Sequence, residues 1–335
     1  MTKLNADGTA LIYSTFIGYG KWAVDIEVDP SGAAYLTCKQ GVWDIEAVYV
    51  AKLNSSGTAL IYSLELSGSG WDEPRDMAVD SYGAAYVVGY TRSPDFPVTV
   101  GAYQTTFGSG YYHAFVVKIS SIGTLIYSTF LRGSIGEVAQ AVAVDSAGAV
   151  YVGGYTVSSD FPTTLGAFDS VFGGGTCNVT PPICHDGFFA KLDPTGSVLL
   201  YSTFIGGSGW DEVSKGGIAV DSTGVVYLAG STASPEFPTT LGAFGRCYNG
   251  GSDTTHPSGD VFVIKLNPSD SELLYSTFIG GNGGDVPYSL VLDLDGAVYI
   301  AGNTSSYNFP VTPNAFKTLY DSRFLVKLVL RSSDT

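Results

Sequence analysis

Short apolar and alternating runs recur along the chain in groups of four, each closed by a cluster of turn-forming residues. The third group shows the pattern fully. Gln140–Asp145 (QAVAVD) is followed by the turn Ser146-Ala147-Gly148 and then by Ala149–Thr156 (AVYVGGYT). After a long loop come Gly187–Leu192 (GFFAKL), the turn DPTG, and Val198–Ile205 (VLLYSTFI). Runs of this length bounded by Gly, Pro, Asp and Ser predict antiparallel strands, denoted a to d within each group. No stretch sustains a 3.6-residue apolar period, so helix content is expected near zero.

The group is a repeat. Its YST-type openings fall at Tyr13, Tyr62, Tyr127, Tyr201 and Tyr275, spaced by 49, 65, 74 and 74 residues. One such unit cannot bury its own apolar face, so the whole chain is read as one domain despite its length. Strand a recurs near Ile26, Met77, Val142, Ile218 and Leu290, and strand c ends with Phe324–Leu328. No YST strand follows that last strand c, whereas an extra one stands at Ala10–Phe16. The expected fold is all-β: a five-bladed β-propeller of four antiparallel strands per blade, closed by the N-terminal strand at about residues 10–16. The units are then about 17–66, 67–131, 132–205, 206–279 and 280–329 plus 9–16, within a single domain 1–335. A linear solenoid would need atypical capping units, and none is seen.

Charged residues make up only 14%, Gly numbers 43 and aromatics reach 13%, a turn-rich globular composition. With 16 basic against 31 acidic residues the net charge is −15, which repels a polyanion and argues against nucleic acid as a partner. No apolar run approaches the about 20 residues needed to span a bilayer. The opening MTKLNADG lacks a signal peptide's apolar region and matches AKLNSSG and AKLDPTG instead, so the sequence reads as starting inside a repeat.

The phrases YSTFIGGSGWDE (Tyr201–Glu212), IAVDSTGVVYLAGST (Ile218–Thr232), EFPTTLGAF (Glu236–Phe244) and FVIKLNPS (Phe262–Ser269) resemble the bacterial β-propeller repeat family known as SBBP. The resemblance spans essentially the whole chain. It implies a propeller in a secreted or surface-attached protein, often part of a larger polypeptide or assembly, and it implies no activity. Unit one departs from the pattern: it lacks the DFPTT phrase and carries Cys38 where the others have Gly89, Gly154, Gly230 and Gly302.

Most repeated residues have structural readings. Asp29, Asp80, Asp145, Asp221 and Asp293 each precede a Gly by three residues, the signature of a turn opened by Asp and ended by Gly. One carboxylate per turn falls short of calcium's six oxygens. The Tyr and Phe of YSTF are expected to pack between blades, and the strand-b glycines to allow a close backbone approach.

Alternation puts the uniform a–b and c–d turns on one face and the variable b–c and d–a loops on the other, where a ligand site is expected. The d–a loops would bring Trp22, Trp71, Asp72, Glu137, Trp210, Asp211 and Asp285 to one rim as candidate ligand-binding residues. A glycoside hydrolase is the enzyme alternative, with Asp25, Asp76, Glu137, Asp211 and Asp285 as candidate acids. Against it, the acids recur at equivalent positions, whereas a catalytic site breaks symmetry, and a fold alone supplies no chemistry. His113, His185 and His256 read as residues of outer b–c loops, without a nucleophile elbow, so a Ser-His-Asp triad is disfavoured.

Cys177 and Cys184 bracket a Pro-Pro kink and are expected to form a disulfide in an oxidising compartment. The alternative is a zinc site from Cys177, Cys184, His185, Cys247 and His256, in a spacing that matches no established pattern. Cys38 reads as buried and unpaired. No cofactor is expected, with calcium or zinc as the alternative. The functional expectation is a secreted or cell-surface, non-catalytic binding or scaffold module that engages a protein or glycan, with a lectin-like propeller as the runner-up.

Overall fold

The computed structural model describes residues 1–42, 45–175, 184–250, 259–267, 269 and 272–330. Twenty-one strands form six antiparallel sheets, with no helix among the described residues. A hairpin of β1 (Thr2–Leu4) and β2 (Leu11–Ser14) comes first. Four four-stranded sheets follow. The first holds β3 (Lys21–Val28), β4 (Ala34–Val42), β5 (Ile45–Leu53) and β6 (Leu60–Leu66). The second holds β7 (Asp72–Val79), β8 (Ala85–Thr91), β9 (His113–Ile119) and β10 (Leu125–Leu131). The third holds β11 (Glu137–Val144), β12 (Val150–Thr156), β13 (Asp186–Leu192) and β14 (Leu199–Ile205). The fourth holds β15 (Asp211–Val220), β16 (Val226–Thr232), β17 (Asp260–Leu266) and β18 (Leu273–Ile279). A three-stranded sheet of β19 (Asp285–Leu292), β20 (Val298–Thr304) and β21 (Arg323–Leu328) ends the series.

These propeller-like units pack in chain order, β3 against β7, β7 against β11, β11 against β15 and β15 against β19. The closed five-bladed ring is not found. There are six sheets, and β2 pairs with β1 rather than with β21. The reason lies in the sequence of β1: its Thr-Lys-Leu is a strand-c motif, so β2 already has the neighbour that a strand d requires. The hairpin sits against the first blade as each blade sits against the next. A Cβ on Gly57 would strike the Tyr13 ring, just as one on Gly123 would strike Tyr62 and one on Gly196 would strike Tyr127. The YSTF tyrosines therefore pack between units, as expected.

Every strand a carries a bulge that begins at its third residue, for example between Pro74 and Asp76 and between Ala139 and Ala141. The bulge drives a carbonyl toward strand b, which explains the strand-b glycines. A Cβ at Gly154 or Gly230 would lie 1.9 Å from the oxygen of Val138 or Glu212. The close approach is thus within a blade, between strands a and b.

On the face of the a–b and c–d turns, the turn aspartate, a strand-b tyrosine and the strand-c lysine form one unit. Tyr35, Tyr86 and Tyr151 each donate a 3.0 Å hydrogen bond to the turn aspartate, Asp29, Asp80 and Asp145. Over the same rings lie Lys52, Lys118 and Lys191, at 4.7, 4.9 and 4.7 Å from the centroids. No helix of the described residues is long and apolar enough to cross a membrane.

Candidate functional site at the upper rim

The first residue of strand a stands at the upper rim in four units, and strand pairing fixes its neighbour. Asp72, Glu137, Asp211 and Asp285 are opposite Thr91, Thr156, Thr232 and Thr304. All four acids are fully buried. Asp72 accepts from the Thr91 hydroxyl and from the Gly68 N–H at 2.7 Å. Glu137 accepts from Thr156 at 3.2 Å and from the Ser158 hydroxyl. Asp211 accepts from Gly207 N–H at 2.8 Å and Ser234 at 2.6 Å, and Asp285 from Gly281 N–H at 3.0 Å and Ser306 at 2.8 Å. Burial raises the Asp72 and Asp285 carboxyls above their usual range and takes Asp211 up to about 6. These side chains tie strand a to strand b and to the d–a loop.

A second layer pins the same loop from outside. Asp95 accepts from the Ser69 N–H and hydroxyl at 2.7 and 2.8 Å, and Asp160 accepts both bonds from Ser134 at 2.9 Å. Glu236 accepts from the Ser208 N–H, and in the last unit the Asn308 amide oxygen accepts from the Asn282 N–H at 2.7 Å. The acidic residue of the DFP phrase is therefore a clamp on the neighbouring loop.

The tryptophans diverge. Trp22 is half-exposed, with the Lys39 ammonium 6.0 Å from its ring. Trp71 donates its indole N–H to Glu73 at 3.1 Å. Trp210 packs edge-on to His185 at 4.0 Å, and His185 stacks on Tyr155 at 4.2 Å. Burial drives the His185 imidazole down to about 4, so it is neutral near pH 7.

Of the histidines read as b–c loop residues, one is a strand residue and one closes its loop in a buried position. His113 is the first residue of β9 and fully buried, and His185 immediately precedes β13. His256 lies outside the described residues, as does Cys177 of the expected Cys177–Cys184 pair. Cys184 is buried, Cys38 is a buried free thiol and Cys247 an exposed one. Among the described residues no three His, Cys, Asp or Glu side chains gather as metal ligands would.

Much of the length added to the long b–c loops serves the sheet edge. Thr99 and Ser128 exchange bonds of 3.0 Å, and Phe130 N–H donates to the Gln104 carbonyl at 3.0 Å, so the loop pairs with the free edge of β10. Thr164 with Ser202 and Thr240 with Ser276 repeat the arrangement on β14 and β18. Such straps cover strand edges that would otherwise template pairing with other chains. The strap phenylalanines Phe96, Phe161, Phe237 and Phe309 lie on Phe115, Phe188, Phe262 and Phe324 at 4.9, 4.6, 4.7 and 4.7 Å. Unit one has no strap, and there Lys21 covers Tyr49 instead, 3.8 Å from its centroid.

At the inner strands the symmetry breaks. Asp25 accepts from Met77 N–H at 3.1 Å and Asp76 from Val142 N–H at 2.8 Å, each reaching into the next blade. The later blades have Ala141, Gly217 and Ser289 at that position.

A β-propeller repeat model, SBBP, matches residues 61–97 and 274–310. The chain carries SBBP repeats at these two places. A search among curated proteins matches none. Among solved structures, a Dyadobacter fermentans protein of unknown function is 11% identical, with a TM-score of 0.44 and 87% of this chain and 78% of that chain covered. A mutant apocarotenoid oxygenase from Synechocystis is 9% identical, with a TM-score of 0.43 and coverage of 90% and 62%. A puromycin hydrolase is 12% identical, with a TM-score of 0.44 and coverage of 87% and 35%. The chain thus spans under two thirds of both enzymes, and at these scores the likeness carries no functional argument.

Proposed function

We propose that this chain is a non-catalytic binding or scaffold module acting outside the cell, engaging a protein partner through the face that carries the d–a and b–c loops. The observation that carries the reading is the burial of Asp72, Glu137, Asp211 and Asp285, whose carboxylates hold the loops in place. What that face offers to solvent is aromatic: Tyr19, Trp22, Tyr111 and Tyr307 are exposed. Tyr and Trp are enriched where protein interfaces form, since they bring large contact area with a polar tip.

The purified chain is to be tested on a glycan array and against a panel of glycoside substrates. Silence on both supports the scaffold reading. Repeated weak glycan hits that are lost in Trp22→Ala would replace it with a lectin. Turnover of a glycoside that vanishes in Asp76→Asn would replace it with an enzyme.

A further inference from the structure

At each junction between blades, the strand-c residue five places before the lysine (the first residue of β9, β13 and β17) is set against the strand-a acid of the next blade, and the four junctions are resolved differently. In the first the facing position is Ala47, and both oxygens of Asp72 accept hydrogen bonds. In the second it is His113, whose Nδ1 lies 2.7 Å from Glu137 Oε2 and whose Nε2 lies 2.7 Å from the Ser109 carbonyl oxygen. A carbonyl only accepts, so Nε2 carries a hydrogen. The Nδ1–Glu137 contact then needs one more proton between its two partners.

In the third and fourth junctions the facing residue is itself an acid, Asp186 or Asp260. Asp186 accepts from Gly173 N–H at 2.6 Å and Asp260 from Asn249 N–H at 2.8 Å, each through Oδ2. The other oxygen, Oδ1, of Asp186 and of Asp260 is buried without a hydrogen-bond partner, whereas the Thr232 and Thr304 hydroxyls bear on Asp211 and Asp285. The two carboxyls of a pair flank one glycine. A Cβ on Gly280 would be 2.3 Å from Asp260 Oδ1 and 2.8 Å from Asp285 Oδ2, and one on Gly206 would be 2.9 Å from Asp211 Oδ2 and 3.2 Å from Asp186 Cγ.

We propose that each acid pair holds one proton taken from solvent, so that Asp186 with Asp211 and Asp260 with Asp285 close their junctions as acid–carboxylate hydrogen bonds. The shared proton gives the orphaned Oδ1 of Asp186 or Asp260 its partner. Burial takes Asp186 up to about 7 and Asp260 up to about 6. The charges facing them push the same way: Asp211 and Asp169 act on Asp186, Glu236 on Asp211, and Asp285 on Asp260. Neutral His185 and Tyr248 lie alongside. The folded pKa values exceed those of an unfolded chain, so this stabilisation is present at low pH and is lost as pH rises through about 6 to 7.

Urea unfolding of the intact chain from about pH 4 to 8 tests this, with a fall of about tenfold in the folding constant per pH unit for each proton held, ending by about pH 7. Asp186→Asn and Asp260→Asn supply a permanent N–H donor, and each is expected to flatten the slope while the chain stays folded. A wild type without the slope, or Asn variants that keep it, would overturn the proposal. So would stabilisation by calcium that EDTA reverses and Asp186→Asn abolishes, because a cation would then be the occupant. Carbon-13 NMR of the wild-type aspartate carboxyls needs no variant. Two or more of them titrating near neutral pH support the proposal, and titration of all of them in the ordinary carboxylate range overturns it.

Discussion

Lys215 Nζ donates a 2.8 Å hydrogen bond to the carbonyl oxygen of Val24, tying the fourth blade to the first across 191 residues of chain. The lysine can reach because the bulge of β15 runs from Val213 to Ile218, longer than its counterparts in the other inner strands. Its charge bears on Asp76, whose carboxyl is held well above the usual range by burial and then by Asp25, with Lys215 opposing. Lys215→Met is therefore expected to raise the Asp76 carboxyl further, read as a higher midpoint in an NMR titration. The lost bond is expected to cost about 0.5–1.5 kcal/mol in urea unfolding. An unchanged Asp76 midpoint would show that the lysine does not occupy this position in solution.

Gly230 is the most constrained of the repeated glycines. A Cβ there would meet the Glu212 oxygen at 1.9 Å and the Phe262 ring at 2.5 Å, and neither can retreat without opening the sheet. Gly230→Ala is expected to destabilise by about 3 kcal/mol. At Gly166, where φ is +84° and nothing lies within 4 Å, alanine adds only left-handed strain of about 1–2 kcal/mol. Equal losses at the two sites in thermal or urea unfolding would contradict the close approach of strand a.

How much of this was legible in the sequence differs by residue. The strands, the turn aspartates and the interblade tyrosines followed from local patterning, since period-two alternation and Asp-x-x-Gly turns act over a few residues. The broken ring did not follow, although the decisive Thr2–Leu4 motif was visible, because choosing between β1 and β21 as the partner of β2 is a long-range competition. The fate of the rim acids was hidden for a similar reason. Asp211 and Ser234 are 23 residues apart, and only the pairing of β15 with β16 shows that the hydroxyl meets the carboxylate. The straps in the b–c loops were hidden too, since Thr164 meets Ser202 and Phe161 meets Phe188 only across long stretches of chain.

The straps make a contrast testable within a few residues. Phe161 is buried on Phe188, whereas Leu165 in the same loop is fully exposed. Phe161→Ala is expected to cost about 3–5 kcal/mol. Leu165→Ser is expected to stay within about 0.5 kcal/mol of the wild type. If Leu165→Ser destabilised as Phe161→Ala does, the strap tip would be packed in solution.

An acid limb of stability is expected from the lower turns. Burial alone would raise Asp29, but Ser31, Tyr35, the Ala33 N–H and Lys52 outweigh it and hold the carboxyl at about 2. A depressed folded value means that the stabilisation is present above the unfolded carboxylate range and is lost as pH falls from about 4 toward 2. Asp193 and Asp221 are lowered in the same sense. Asp29→Asn should flatten this limb in urea unfolding at low pH and leave the neutral-to-alkaline limb unchanged. A variant that retained the full acid limb would remove Asp29 as a contributor.

The last blade exposes a position that every earlier blade buries. Leu325 is 75% exposed, whereas Val50, Val116, Phe189 and Val263 at the same place in strand c are 0% exposed. The difference arises because those four lie under the following blade, while among the described residues no sheet packs on this side of β21. Val116→Asp would place an unpaired carboxylate between two blades and is expected to destabilise by about 4 kcal/mol or more. Leu325→Asp meets water and is expected to change stability by less than about 0.5 kcal/mol. Thermal unfolding of the two variants beside the wild type decides the matter. A large loss at Leu325 would mean that this face is covered in solution, and the open series of blades would have to give way to a closed one.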